Sequence, residues 1–164
     1  GLPFETYPPY VPVDEAYEPR PESSYSLSKV MGEEMARQFC RRNPDMKIVG
    51  LRYSNIMEEQ DYRQFHSFQD DPFLRKWNFW GYIDARDVAQ ACLLAMEIKL
   101  KGADNFIIAA DDTVMNEDNK KLLDKVFPNI NIKGEIGKNK TLLSNEKAKK
   151  ILGFKPEYSW RKIN

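Results

Sequence analysis

The sequence predicts an α/β fold in which helices alternate with short, buried, parallel strands. Apolar residues recur at helical spacing in several segments, as in the series Leu27, Met31, Met35 and Phe39. Short β-rich apolar runs such as NFIIAA separate these segments, and such runs are typical of parallel strands. Of the 164 residues, 41% are hydrophobic, which is enough apolar material for the core of one globular domain.

The first predicted elements are a loop, a helix and a strand. The N-terminal run GLPFETYPPYVPVDEAYEPRPESS is rich in proline, which fixes φ and removes amide donors, so we expect an irregular surface loop. Ser23 or Ser24 then caps a helix over residues 24–42, which Asn43 and Pro44 end. The following run, KIVGLRYSNI, predicts a buried parallel strand that ends near Tyr53.

The remaining elements continue the alternation. The segment GYIDARDVAQACLLAME predicts a brief extended piece and a helix capped by Asp84, and NFIIAA predicts another buried strand. NEDNKKLLDKVF predicts a polar-faced helix capped by Asn116. SNEKAKKILGFKP predicts a short helix with Ser144 as its cap and Gly153 at its left-handed end.

Composition favours a small-molecule partner. The 25 basic and 25 acidic residues balance, so no basic footprint indicates nucleic acid. No run approaches the roughly 20 apolar residues that span a bilayer, so we expect no membrane partner. Cys40 and Cys92 stand among apolar helical positions without a CxxC motif, which argues against a zinc site and favours a reducing, cytoplasmic location. His66 is the only histidine, so we expect no metal site built on histidines.

The stretch YSLSK places a phenol and an ammonium one helical turn apart, at Tyr25 and Lys29. A positive charge beside a phenol favours its ionised form, and the two groups together can move a proton. In the alternative interpretation, Tyr25 packs and Lys29 is a solvated surface residue. The surrounding motifs decide between the two.

Four segments in order, YSLSK, LRYSNI, GYIDARDVAQACLLAME and SNEKAKKILGFKPEYSW, resemble the second half of an extended short-chain dehydrogenase/reductase of the NAD-dependent epimerase/dehydratase type. The resemblance implies the C-terminal part of a Rossmann-type doubly wound parallel sheet plus a small α/β substrate-binding region. It divides the chain into four parts: the second half of the dinucleotide-binding domain (1–55), a shortened substrate loop (56–81), a helix and strand returning to the Rossmann domain (82–115) and a C-terminal substrate-binding region (116–164).

The resemblance also implies roles for individual residues. Tyr25 would be the general acid/base for a sugar-type substrate while a hydride passes to or from NAD or NADP. Lys29 would assist Tyr25 and hold the nicotinamide ribose. Tyr53 and Ser54 would line the nicotinamide pocket at a strand end, and the residues that would contact substrate are Asn55, Trp80 and Arg86.

Two features of the family are not found in the sequence. No glycine-rich phosphate loop is present, and the serine or threonine that pairs with the tyrosine would fall at or before Gly1. We therefore interpret the chain as the C-terminal part of a longer enzyme and expect residues 1–164 alone to be inactive. The resemblance further implies a homodimer through the Tyr-Lys helix. The alternative is a catalytically inactive NAD(P)-binding or protein-interaction member of the same fold.

The residue at position 80, Trp80, helps to predict whether the substrate carries a nucleotide. Nucleotide-sugar epimerases of this family carry an arginine at that position, which holds the diphosphate, and a longer insertion before it. An indole cannot replace a guanidinium fork, although it can stack on a sugar ring or fill a core. We therefore expect a small sugar, sugar acid or polyol without a nucleotide. Arg75, Lys76 and Arg86 remain as candidate anion contacts.

Overall fold

The structure, a computed structural model, describes residues 8–163. Its six strands are β1 (Tyr10–Val11), β2 (Lys47–Tyr53), β3 (Ile56–Met57), β4 (Ile83–Asp84), β5 (Gly102–Ile108) and β6 (Asn131–Ile132). Its α-helices are α1 (Ser24–Arg42), α2 (Ala85–Glu97) and α3 (Asn119–Val126). Three 3₁₀ helices span Glu59–Phe68, Pro72–Asn78 and Trp160–Lys162, and a π-helical turn spans Ala148–Leu152.

The three pairs of named strands within residues 8–163 are all parallel, which confirms the α/β class. β2 and β5 form the longest ladder, in register from Lys47 opposite Gly102 to Tyr53 opposite Ile108. β3 pairs with β4, and β1 pairs with β6. Because the carboxyl ends of β2 and β5 coincide, residues that follow the two strands meet at one edge of the sheet.

Helix α1 has the bounds that its sequence predicts, and Ser23 is its cap. The Ser23 hydroxyl accepts from the Ser26 amide (3.1 Å), while the Ser26 hydroxyl accepts from the Ser23 amide (3.0 Å). This reciprocal pair satisfies two amides at the start of the helix. The helix ends at Arg42 because Pro44 disfavours a helical conformation at the residue before it.

Several boundaries differ from the predictions. The N-terminal run contains strand β1, which pairs with a strand far along the chain, and two 3₁₀ helices lie within the predicted loop 56–81. α3 begins at Asn119 with Asp118 as its cap, so Asn116 is not the cap. The C-terminal turn has no side-chain cap, which makes the Ser144 prediction wrong, whereas Gly153 does adopt a left-handed φ of 73°.

Two hydrophobic clusters form the core. The larger packs α3 against the two 3₁₀ segments and contains six buried aromatic side chains, with Phe65, Trp80, Tyr82 and Phe127 among them. The smaller packs α2 and the C-terminal turn on β5 through Ile83, Ala91, Phe106 and Phe154. Within residues 8–163, no helix is long and apolar enough to cross a bilayer.

Candidate active site

Tyr25 and Lys29 lie on the first turns of α1. Tyr25 is 70% exposed, and the Lys29 ammonium lies 5.0 Å from the centroid of its ring. Side chains four residues apart are neighbours on a helix surface, which explains the contact. The arrangement leaves the phenol hydroxyl open to solvent beside a positive charge.

A salt bridge fixes this face of α1 to the sheet. Glu33 lies one further turn along the same face as Lys29, and its carboxylate accepts two hydrogen bonds from Arg52, from Nε (2.7 Å) and Nη2 (2.6 Å). The hydrogen bonds to Glu33 raise the pKa of Arg52. Arg52 immediately precedes Tyr53, the last residue of β2. The pair therefore joins α1 to the end of β2, next to Tyr53 in the sequence.

Tyr53 reaches from β2 to α2. Its hydroxyl lies 3.1 Å from the Cys92 sulfur. Burial and the contact with Cys92 raise the pKa of Tyr53 above its ordinary value, so its phenol stays protonated at neutral pH. Tyr53 is therefore suited to packing or hydrogen bonding at this edge and not to proton exchange.

Ser54 has a buried hydroxyl without a hydrogen-bond partner in the described part of the chain. Its amide donates to the Ile108 carbonyl (3.0 Å), so the backbone is held at the end of the β2–β5 ladder. Gly81 borders the hydroxyl, because a Cβ at that position would lie 3.0 Å from Ser54 Oγ and 2.9 Å from Leu143. Buried hydroxyls normally have a hydrogen-bond partner, so this one is an exception at the end of the ladder.

Asn55 links β2 to β3. Its carbonyl accepts from the Ile83 amide (2.9 Å), and its side-chain nitrogen lies 3.6 Å from the Met57 sulfur. The backbone bond positions the residue, while the sulfur contact is weak. Its side-chain amide therefore retains hydrogen-bonding capacity next to Ser54.

Trp80 corrects one sequence expectation. The side chain is fully buried, its indole nitrogen donates to the Pro72 carbonyl (2.7 Å), and its ring meets Phe127 edge-on at 5.9 Å. A ring without exposed surface presents no face for a sugar to stack on. Trp80 is a core residue, the second of the two roles considered from the sequence.

Arg86, predicted to bind substrate, is engaged within the protein. Its guanidinium donates to both oxygens of the buried Asp84 carboxylate (2.8 and 2.9 Å) and to Glu59 (3.1 Å), and it stacks 3.8 Å from the Tyr158 ring centroid. The Tyr62 hydroxyl donates to the same carboxylate. Arg86 thus joins the start of α2 to the first 3₁₀ helix and the C-terminal segment.

Sequence reasoning missed the groups that support the site. Glu33 could have been found from its spacing, since it continues the four-residue series of Tyr25 and Lys29. Nothing local in the sequence identifies Arg52 as its partner or places Tyr62 on Asp84, because both contacts join distant segments.

A cavity of about 980 Å³ lies outside this group, between the first 3₁₀ helix and the C-terminal segment, lined by Glu58, Arg63, His66, Trp160 and Arg161.

Comparison with known proteins concerns the family and the fold of the chain. The sequence model of the NAD dependent epimerase/dehydratase family matches residues 4–109. Among solved structures, the chain is similar to UDP-glucose 4-epimerase of Thermotoga maritima with UDP-glucose (25% identity, TM-score 0.58, 90% of this chain and 53% of that chain). It is also similar in fold to UDP-N-acetylglucosamine 4-epimerase of Bacillus cereus (20%, 0.58, 91% and 56%).

A third similar fold is that of a short-chain dehydrogenase/reductase superfamily protein of Agrobacterium tumefaciens with bound NAD (22% identity, TM-score 0.57, 96% of this chain and 59% of that chain). No curated protein matches the chain significantly. The chain thus spans little more than half the length of the solved relatives.

Proposed function

We propose a function from one premise: the chain belongs to the NAD-dependent epimerase/dehydratase family. The protein that contains these residues carries out an NAD(P)-dependent redox step on a sugar or sugar derivative, as an oxidation or within an epimerisation or dehydration. The contact between Tyr25 and Lys29 carries the proposal, and it lies on a helix that the Glu33–Arg52 ion pair joins to β2.

Tyr25 is the proposed general acid/base. As a sugar hydroxyl is oxidised, its proton passes to the Tyr25 oxygen, and in the reverse direction Tyr25 returns it. The Lys29 ammonium stabilises the Tyr25 phenolate that accepts this proton and that forms again when the proton is returned. Tyr25 is better suited to this role than Tyr53, since Tyr25 is exposed beside a cation, whereas burial and the contact with Cys92 raise the pKa of Tyr53.

The residues at the strand end fit the nicotinamide end of a dinucleotide. When bound, NAD(P) supplies the hydride acceptor or donor. Ser54 and the partly exposed Tyr53 would line the nicotinamide pocket, and Lys29 would hold the nicotinamide ribose. The chain contains no glycine-rich loop for the pyrophosphate, so we propose that residues 1–164 alone bind the cofactor weakly and are inactive.

A small sugar, sugar acid or polyol is the proposed substrate. The position at which nucleotide-sugar epimerases of the family carry a diphosphate-binding arginine holds Trp80, and its indole is buried. Arg86 is bound to Asp84 and Glu59, so its guanidinium is occupied by the protein's own carboxylates. Neither residue offers a free cation to a diphosphate.

A homodimer through α1 is proposed as the assembly. Four apolar side chains follow one stripe of the helix and are each between 41% and 55% exposed: Leu27, Met31, Met35 and Phe39. A helix that stayed in water would not keep such a stripe. A two-fold axis would bury the stripe against its own copy.

The decisive experiment replaces Tyr25 in the full-length protein. Tyr25→Phe removes the hydroxyl and keeps the ring over which Lys29 lies, so we expect kcat to fall by about 10²- to 10⁴-fold with cofactor affinity nearly unchanged. Tyr17→Phe is the matched control, since its hydroxyl makes no hydrogen bond to residues 8–163, and it should retain turnover. Calorimetry should detect NAD(P) binding by the full-length protein at micromolar concentration and not by residues 1–164. Wild-type turnover in Tyr25→Phe would refute the proposed role.

A further inference from the structure

The cavity of about 980 Å³ between the first 3₁₀ helix and the C-terminal segment has no role in the proposed function. Its volume is within the range of small-molecule sites in proteins, about 300–1,000 Å³. Charged, polar and aromatic side chains line it together, and most of them are exposed. A dissolved molecule can therefore reach these side chains from solvent.

Arg63 and His66 place two hydrogen-bond donors in the lining of this cavity. They stand three residues apart on the first 3₁₀ helix, and side chains at this spacing lie one above the other when a helix has three residues per turn. Both are exposed, and neither side chain forms a hydrogen bond or an ion pair with any residue of the range 8–163. The guanidinium is always charged, and the imidazole can donate from a ring nitrogen. The pair is therefore available to bind an anionic group.

The remaining charges of the lining determine what else the ligand carries. Glu59 and Arg161 each form an ion pair with a residue outside the lining, at 3.1 and 3.0 Å. Glu58 has no cationic partner among residues 8–163, and it lies five residues before Arg63, so it is on another side of the helix. Its carboxylate can accept hydrogen bonds from hydroxyl groups. A ligand that suits these charges is an anion that also carries hydroxyls.

Trp160 supplies an aromatic wall next to His66. The two rings meet edge-on with their centroids 6.2 Å apart, and the indole nitrogen donates to the Thr113 carbonyl (3.0 Å). This hydrogen bond fixes the ring, which is only half-buried and lines the cavity. An aromatic surface suits the apolar C–H groups of a ligand whose polar groups meet the donors and acceptors nearby.

We infer that this cavity binds a small hydroxylated anion, a sugar acid or a sugar phosphate, whose anionic group is held by Arg63 and His66. Carboxylate and phosphate share the chemistry that a guanidinium recognises, because both accept two parallel hydrogen bonds from its edge. Hydroxyls of the ligand donate to Glu58, and its C–H groups pack against Trp160. The inference goes beyond the proposed function, which assigns no ligand to this cavity.

Calorimetry of the full-length protein without NAD(P) tests the inference. The probes are glucuronate, glucose 6-phosphate and glucose, which share a ring configuration and differ in the anionic group. We expect at least one of the two anions to bind with a Kd below about 1 mM, and glucose to bind at least about tenfold more weakly. The tighter of the two anions identifies the group that the site prefers.

Substitution of the two donors shows whether the anion occupies this cavity. Arg63→Gln should weaken anion binding by about 10- to 100-fold, because charge-assisted hydrogen bonds are lost, and Arg63→Lys should recover part of the loss. His66→Phe keeps a ring and removes the donor, so it should weaken binding by about 3- to 10-fold. Arg20→Gln is the matched control, because Arg20 is also exposed but does not line the cavity, and its Kd should equal that of wild type.

Melting temperatures separate a lost contact from lost folding. Because the Arg63 and His66 side chains form no hydrogen bond or ion pair with residues 8–163, the ligand-free variants should melt within about 3 °C of wild type. Anion binding that is unchanged in Arg63→Gln would overturn the inference, and so would absence of binding by both anions or glucose binding as tight as theirs. Absence of NAD(P)-dependent turnover would reject the proposed function alone, since the binding assay contains no cofactor.

Discussion

Replacing Trp80 with phenylalanine separates a packing role from a ligand role. The change removes the donor to the Pro72 carbonyl and leaves ~40 Å³ unfilled in the aromatic cluster, which costs about 1 kcal/mol at the ~24 cal/mol per Å³ typical of core cavities. The lost hydrogen bond adds about 1 kcal/mol, and the smaller buried surface about another. We expect the free energy of unfolding to fall by about 2–3 kcal/mol.

Thermal and denaturant unfolding of the full-length protein would measure this loss. For a protein of this size or larger, the change corresponds to a Tm that is lower by about 4–12 °C. Trp77→Phe is the control, since Trp77 is only partly buried and its indole nitrogen donates to no described residue, and it should change stability by less than about 1 kcal/mol. Below the Tm, Trp80→Phe should retain its KM for sugar. An unchanged Tm together with a KM raised more than about tenfold would refute the core assignment and restore the ligand role.

Two further predictions concern acid stability and assembly. Burial opposes ionisation of Asp84, but hydrogen bonds from Arg86 and Tyr62 outweigh this effect and lower the pKa of Asp84. The ionised carboxylate therefore contributes to the free energy of unfolding above about pH 4, the pKa of Asp in the unfolded chain. This contribution is lost as the pH falls through the lowered pKa of Asp84 in the folded state. Asp84→Asn should therefore reduce the free energy of unfolding at neutral pH by about 1–3 kcal/mol and lose less stability than wild type on acidification; equal acid sensitivity in urea titrations would contradict this. If the proposed dimer forms through α1, Met35→Glu on its exposed stripe should make the full-length protein a monomer in light scattering, whereas Lys99→Glu on another surface should not. A dimer that survives Met35→Glu would argue against the α1 interface.

The predictions that held depend on local signals. Helix α1 begins after its Ser23 cap and ends shortly before Pro44, as these local signals predict. The β-rich run that follows predicts a strand that ends near Tyr53, and β2 ends at that residue. The contact between Lys29 and Tyr25 is equally local, because a spacing of four places both side chains on one helical face. The family resemblance can also be recognised in the sequence, since the four motifs keep their order along the chain.

The errors arose where distant segments compete with local preference. Asn116 has the chemistry of a cap, but its side-chain oxygen accepts from Arg161 (3.0 Å) and the helix starts after Asp118. Strand β1 forms within a proline-rich run because it pairs with β6, which lies more than a hundred residues later in the chain. Neither partner can be identified from a local window.

The sequence by itself determined the α/β class, the bounds of α1 and the pairing of Tyr25 with Lys29, because capping, periodicity and one-turn spacing act within a few residues. Only the tertiary structure decided which polar groups have partners. Trp80 enters the core at a left-handed φ of 57°, Arg86 is occupied by Asp84, and Arg75 is buried without an ion pair to any carboxylate of residues 8–163. Burial and pairing depend on which distant segments contact each side chain. Side chains of the same type can therefore be paired at one position and unpaired at another.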